Sequence, residues 1–135
     1  MLKYLCSGAI FTTILASGLL SGQAAQAQAA CGATSSVGAG TSVRCIVTAQ
    51  PQALSCDAIP AAASHQMNLG AMNGVEVSVQ SSGGNPTLLI DGPDGCFYAL
   101  PNNGVAKIPG FWSNGVHRIY VGGGAGTTTL TIQAD

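Results

Sequence analysis

The stretch VEVSVQSSGGNPTLLIDGPDGCFYAL, residues 75–100, decides the fold. Val75, Val77 and Val79 alternate with Glu76, Ser78 and Gln80. A period of two marks a half-buried strand, because successive side chains leave opposite faces of the chain. SSGGNP (81–86) is rich in turn formers and separates that strand from TLLID (87–91), where Leu88 and Ile90 share a face. Gly92-Pro93-Asp94-Gly95 then has the order of a reverse turn. Proline presets φ at the second position, aspartate suits the third, and glycine tolerates a positive φ at the fourth. CFYAL (96–100) follows as the returning strand.

Working outward, the same grammar repeats. TSVRCIVTA (41–49), HQMNLG (65–70), VAKI (105–108), VHRIYVG (116–122) and TTTLTIQ (127–133) read as further strands. Cys31–Gly40 reads as an irregular arm, and QPQALSCDAIPAAA (50–63), with Pro51 and Pro60, as a connection. Short strands every 8–12 residues or so, broken by Gly, Pro and Asn, predict an all-β fold. The expected architecture is a small antiparallel, jelly-roll-like β-sandwich.

Residues 1–29 have the form of an export signal. Lys3 is followed by an uncharged apolar run, Leu5 to Leu20, and then by SGQAAQAQAA. That tract offers Ala-x-Ala sites ending at Ala27 and Ala29. The apolar run is short for a span of about 20 residues, so cleavage is expected rather than anchorage. Beyond the signal, residues 30–64 are expected to hold an arm and a first strand, and 65–135 the sandwich core, as one domain over 30–135. The expected location is secreted or periplasmic.

Export gives the cysteines their reading. Cys31, Cys45, Cys56 and Cys96 remain after cleavage. An even count in a small exported chain predicts two disulfides. Sequence leaves three connectivities open, and the expected one is Cys31–Cys45 with Cys56–Cys96. No close Cys or His pairs suit zinc.

Charge excludes other classes. The mature chain sets Arg44, Lys107 and Arg118 against Asp57, Glu76, Asp91, Asp94 and Asp135, a formal charge of −2. It has no cationic footprint for nucleic acid or for anionic lipid. A serine hydrolase needs a base and an oxyanion hole. The bases are His65 and His117, and GTSVR (40–44) lacks the second glycine of a nucleophile elbow. GGGAGT (122–127) has no lysine to hold phosphate. Glycosidases need two placed carboxylates, and the strand pattern does not group Glu76 with an aspartate. No catalytic residue is assigned, and a secreted hydrolase ranks third among the functions considered.

Two binding constellations remain. Asp91 and Asp94, with Asn85, Asn102 and Asn103, could offer oxygens to calcium, which takes six to eight. Turn chemistry accounts for the same two aspartates without a cation. Tyr98, Trp112 and Tyr120 are the candidate ligand-gripping aromatics. Alternation puts Tyr120 opposite Ile119, on a face expected to be exposed, whereas Trp112 also suits a cap on the core.

NPTLLIDGPDG, IPGFWSNGVHRIYVGG and the closing TTTLTI, in this order, resemble the bacterial pre-peptidase C-terminal type of domain. The resemblance runs from about Met67 to Ile132. It implies a small jelly-roll sandwich carried by exported proteins, often beside a secreted peptidase. The implied role is a non-catalytic adhesion or interaction module for an extracellular or envelope protein or glycan. A carbohydrate binder, or one assisted by calcium, is the alternative. No catalytic domain accompanies the module in this sequence, so it is expected to work alone or in trans.

Overall fold

The computed structural model describes residues 28–135. Apart from its last two residues, the export signal expected over 1–29 lies outside that range. Seven strands form: β1 (Thr34–Val37), β2 (Ser42–Val47), β3 (His65–Leu69), β4 (Asn73–Gly92), β5 (Gly95–Ala99), β6 (Val105–Trp112) and β7 (Gly115–Ala134). No helix occurs among the described residues.

Two strands organise the rest. β4 and β7, 20 residues each, pair antiparallel along most of their length. Their register shifts between Ser81 and Gly83 and again between Gly84 and Thr87. Here the ribbon folds over, as bulged glycine-rich ladders do. Gly84 has φ +74°, and a Cβ there would stand 2.8 Å from the Ala125 amide nitrogen and 2.9 Å from the Gly123 carbonyl. Only glycine fits.

The fold-over makes two layers from one sheet. In the first, β3 pairs with the start of β7, and β5 with the end of β4, giving the order β1-β3-β7-β4-β5. In the second, β2 pairs with the end of β7, and β6 with the start of β4. Val75, Val77, Val79, Leu130 and Ile132 from the second layer share one buried cluster with Met67, Leu69, Leu88, Ile90, Ile119 and Val121 from the first.

Several expectations change here. The segments 75–80 and 87–91 are one bent strand, as are 116–122 and 127–133, so SSGGNP and GGGAG are creases rather than loops. The arm 31–40 contains β1, which lies parallel to β3, so the sheet is mixed rather than antiparallel. The last strand before β7 runs beyond VAKI to Trp112, carrying Pro109 within it. Proline is tolerated there because β6 is an edge strand with one free side.

The outer face of the first layer is covered. Leu54, from the connection between β2 and β3, packs on Leu89 and Tyr120, with Cys56 and Cys96 beside them. The Leu54 amide donates to Thr87 Oγ1 (3.0 Å), which donates to the Gly122 carbonyl (3.1 Å). A side chain at Gly122 would run into the Gln52 carbonyl and the Leu54 side chain, so glycine permits this close cover. Tyr120, expected on an exposed face, is therefore buried at 4% exposure.

The two sides of the sandwich are finished differently. On one side the N-terminal segment bridges both layers. The Ile46 amide donates to the Ala29 carbonyl (2.9 Å) and the Cys31 amide to the Ile46 carbonyl (2.7 Å), which caps β2. A few residues on, the Gln66 amide donates to the Ala33 carbonyl (2.8 Å) and β1 covers β3. Cys31–Cys45 pins the segment to β2. His65 pins it to β3, its Nδ1 donating to the Gly32 carbonyl (2.6 Å) while the Ser35 hydroxyl donates to Nε2 (2.8 Å). On the other side no strand pairs with the free edge of β5 or β6 among the described residues, and Cys56–Cys96 ties the β2–β3 connection to one face of β5 alone.

Candidate interaction site

The open side is built around the Gly92–Gly95 corner. β4 and β5 meet with Gly92 opposite Gly95, leaving Pro93 and Asp94 as the loop. Neither loop residue has a positive φ, so the turn is not of the primed kind most hairpins use. Gly95, at φ +112°, absorbs the mismatch with strand twist. This geometry turns the Asp94 carboxylate across to the start of β7. The Ser113 hydroxyl donates to Asp94 Oδ1 (2.6 Å) and the Ser113 amide to Oδ2 (2.9 Å).

Those two bonds, hydroxyl first, hold the Asp94 carboxyl below the ordinary carboxylate range. A smaller desolvation effect opposes them, and nearby His117 adds a slight lowering. A depressed folded-state pKa contributes stability above the unfolded value and loses it as pH falls through the folded one. Asp94 therefore steadies this corner at neutral pH, and the contribution disappears only in acid.

Ser113, His117 and Asp94 are the residue types of a hydrolase triad, but they are wired otherwise. The serine hydroxyl is spent on the aspartate. His117 Nε2 donates to the Ser113 carbonyl (2.8 Å), not to a nucleophile. The ring is fully buried, and its Nδ1 has no partner among the described residues. A triad needs the base on the nucleophile's oxygen; here the histidine braces a backbone. His65 is likewise occupied in tying down the arm.

The two aspartates that could offer oxygens to calcium face different partners. Asp91 lies 3.9 Å from Arg118, its cross-strand neighbour, while both oxygens of Asp94 are engaged by Ser113. No group of three His, Cys, Asp or Glu side chains suited to a metal occurs among the described residues.

The three aromatic candidates also separate. Trp112 is 3% exposed, and its indole Nε1 donates to the Val75 carbonyl (3.0 Å). With Tyr120 also buried, neither ring can serve as a surface platform, so those two assignments are corrected. Tyr98 remains exposed. Phe97 and Phe111, weighed with the other aromatics but not selected as candidates, and Leu100 are exposed too, Phe97 on the opposite face of β5 from Tyr98. The signal was present in alternation, since Phe111 and Trp112 are neighbours in a strand and cannot both point inward. Phe97 meets Trp112 edge-on, with centroids 5.5 Å apart and planes at 85°.

Asp94, Phe97, Ile108, Pro109, Gly110, Phe111 and Trp112 line a pocket of about 200 Å³ on this side. β6 carries Lys107 and Pro109, which discourage strand addition. β5, Gly-Cys-Phe-Tyr-Ala, carries no such guard.

The arrangement defines a class: a two-layer β-sandwich stapled by two disulfides, with one side closed and the other open and aromatic. The chain is similar in fold to the pre-peptidase C-terminal domain of a collagenase from Bacillus anthracis. Identity is 14%, the TM-score is 0.46, and the match covers 76% of this chain and 94% of that one. No family model matches the chain, and no curated protein matches it.

Proposed function

We propose that the protein is an exported, non-catalytic interaction module that holds an extracellular or envelope protein on its open side, between β5 and β6. One observation carries this reading. The N-terminal segment and a disulfide close one side of the sandwich, yet the other leaves Phe97, Tyr98, Leu100 and Phe111 in water. Exposed edges invite pairing with another chain, and natural folds cover or guard them unless they are used. Aromatic anchors concentrate binding energy at interfaces. The wiring of Ser113, His117 and Asp94 supports a role without catalysis.

The test uses the mature, oxidised protein on a surface, probed with extracellular and envelope proteins and with a glycan array. A variant carrying Tyr98→Lys and Phe111→Ser is run in parallel. A protein partner retained by the wild type is expected to bind the variant at least about tenfold more weakly. The melting temperature should hardly move, because both side chains are exposed. Retention of only a glycan, or undiminished binding by the variant, contradicts the proposal.

A further inference from the structure

Building on that reading, we infer that the pocket beside Asp94 seats one basic side chain, lysine or arginine, from an extended segment of the partner that adds to the edge of β5. Four observations converge on this chemistry.

The first is charge. Asp94 makes no ion pair among the described residues; the ion pair found there joins Arg118 and Asp91. Each oxygen of Asp94 takes one hydrogen bond from Ser113. An ionised carboxylate has roughly four acceptor positions, so about half remain for an incoming cation. The second is the wall. Phe97 and Phe111 offer exposed ring surface beside the carboxylate, with Ile108 and Pro109 adjoining. Aromatic faces attract cations, and the aliphatic stem of lysine or arginine lies readily on apolar surface.

The third is size. At about 200 Å³ the pocket falls below the range of about 300–1,000 Å³ usual for small-molecule sites. It suits a single side chain rather than a cofactor or a sugar chain. The fourth is rigidity. Trp112, which forms part of the pocket, is fixed by its bond to Val75, and His117 meets it edge-on at 5.5 Å. The same histidine fixes the Ser113 carbonyl, and Ser113 fixes Asp94. A site held in place before binding loses less entropy when it is filled. The unguarded edge of β5 supplies backbone groups to align an added strand.

Trp112 is the single tryptophan of the chain, and it lines the pocket, so its emission reports occupancy. The probes are acetylated, amidated heptapeptides of alternating valine and threonine with arginine at the centre, and the same peptide with norleucine there. The arginine peptide is expected to shift Trp112 emission saturably at millimolar concentration. Norleucine in place of arginine, or Asp94→Asn, should weaken binding about tenfold. Phe111→Ala should weaken it too, and melting curves establish that both variants fold.

Equal binding of the norleucine peptide, or undiminished binding by a folded Asp94→Asn variant, overturns the basic seat and leaves open-side docking standing. A response to tetramethylammonium chloride alone, as strong as to the peptide, overturns the extended-segment assignment. No response to any peptide, while a protein partner is still lost on Tyr98→Lys and Phe111→Ser, overturns this inference and not the proposed function.

Discussion

Replacing both Cys56 and Cys96 with serine is expected to lower the melting temperature by about 10–20 °C. Cys56–Cys96 closes a loop of 40 residues, and Cys31–Cys45 one of 14. Constraint of the unfolded chain grows with loop length, giving about 4 kcal/mol for the first bridge and about 3 kcal/mol for the second. The two also differ in what they hold. Cys56–Cys96 ties the connection between β2 and β3 to β5, and that connection carries Leu54 onto Leu89 and Tyr120. Burial of one such side chain stabilises by about 1.5–3 kcal/mol. Without the bridge, residues 50–63 should become the first site of proteolysis. Serine at 31 and 45 should instead loosen the N-terminal segment and leave 50–63 resistant. Thermal scans and limited proteolysis of the two double variants check both statements. Equal effects, with cleavage at the same place, would contradict this account of the cover.

Trp112→Ala is expected to cost about 3–5 kcal/mol, while Phe111→Ala, one residue away, should stay within about 0.5 kcal/mol. The contrast comes from strand alternation. Trp112 points into the core at 3% exposure, and Phe111 points outward at 78%. Trp112→Phe separates the two parts of the larger loss. It keeps most of the apolar burial but leaves the Val75 carbonyl without its indole donor. That part is worth about 1–3 kcal/mol. Urea unfolding of the three variants gives the numbers. A large loss at 111 with a small one at 112 would mean that β6 presents the opposite face.

Much of this architecture is legible in the residues. Val75, Val77 and Val79 announce their strand, and Gly92-Pro93-Asp94-Gly95 announces its corner; both occur as read. Two cysteine pairings follow the expected connectivity. What sequence does not distinguish is a turn from a crease. SSGGNP and GGGAG carry the same glycines whether the chain reverses or bends, and only pairing between β4 and β7 makes them creases. β1 escapes notice because Thr34–Val37 sits among small residues, and its strand form depends on β3 beside it. Tyr120 misleads for a related reason. Alternation places it opposite Ile119 correctly, but a loop 66 positions earlier in the chain, at Leu54, decides that this face is covered.

The candidate site shows the same division. Asp94 stands out as a turn residue, but its carboxylate is held by Ser113, 19 positions further along the chain, a link that turn chemistry does not predict. Its partnership with Phe97 and Phe111 is not local. It requires β5 and β6 to lie on the same side of the sandwich, each paired to a different half of β4. No window of sequence contains that fact. The open side becomes visible only when the N-terminal segment is seen to close the other.

Residue-resolved amide exchange of the mature, oxidised protein tests this asymmetry most directly. The Cys31 and Gln66 amides, bonded to the Ile46 and Ala33 carbonyls, are predicted to exchange as slowly as core amides, while alternate amides of β5 exchange within seconds. Fast exchange at Cys31 and Gln66, or uniform protection along β5, would contradict a sandwich sealed on one side and open on the other.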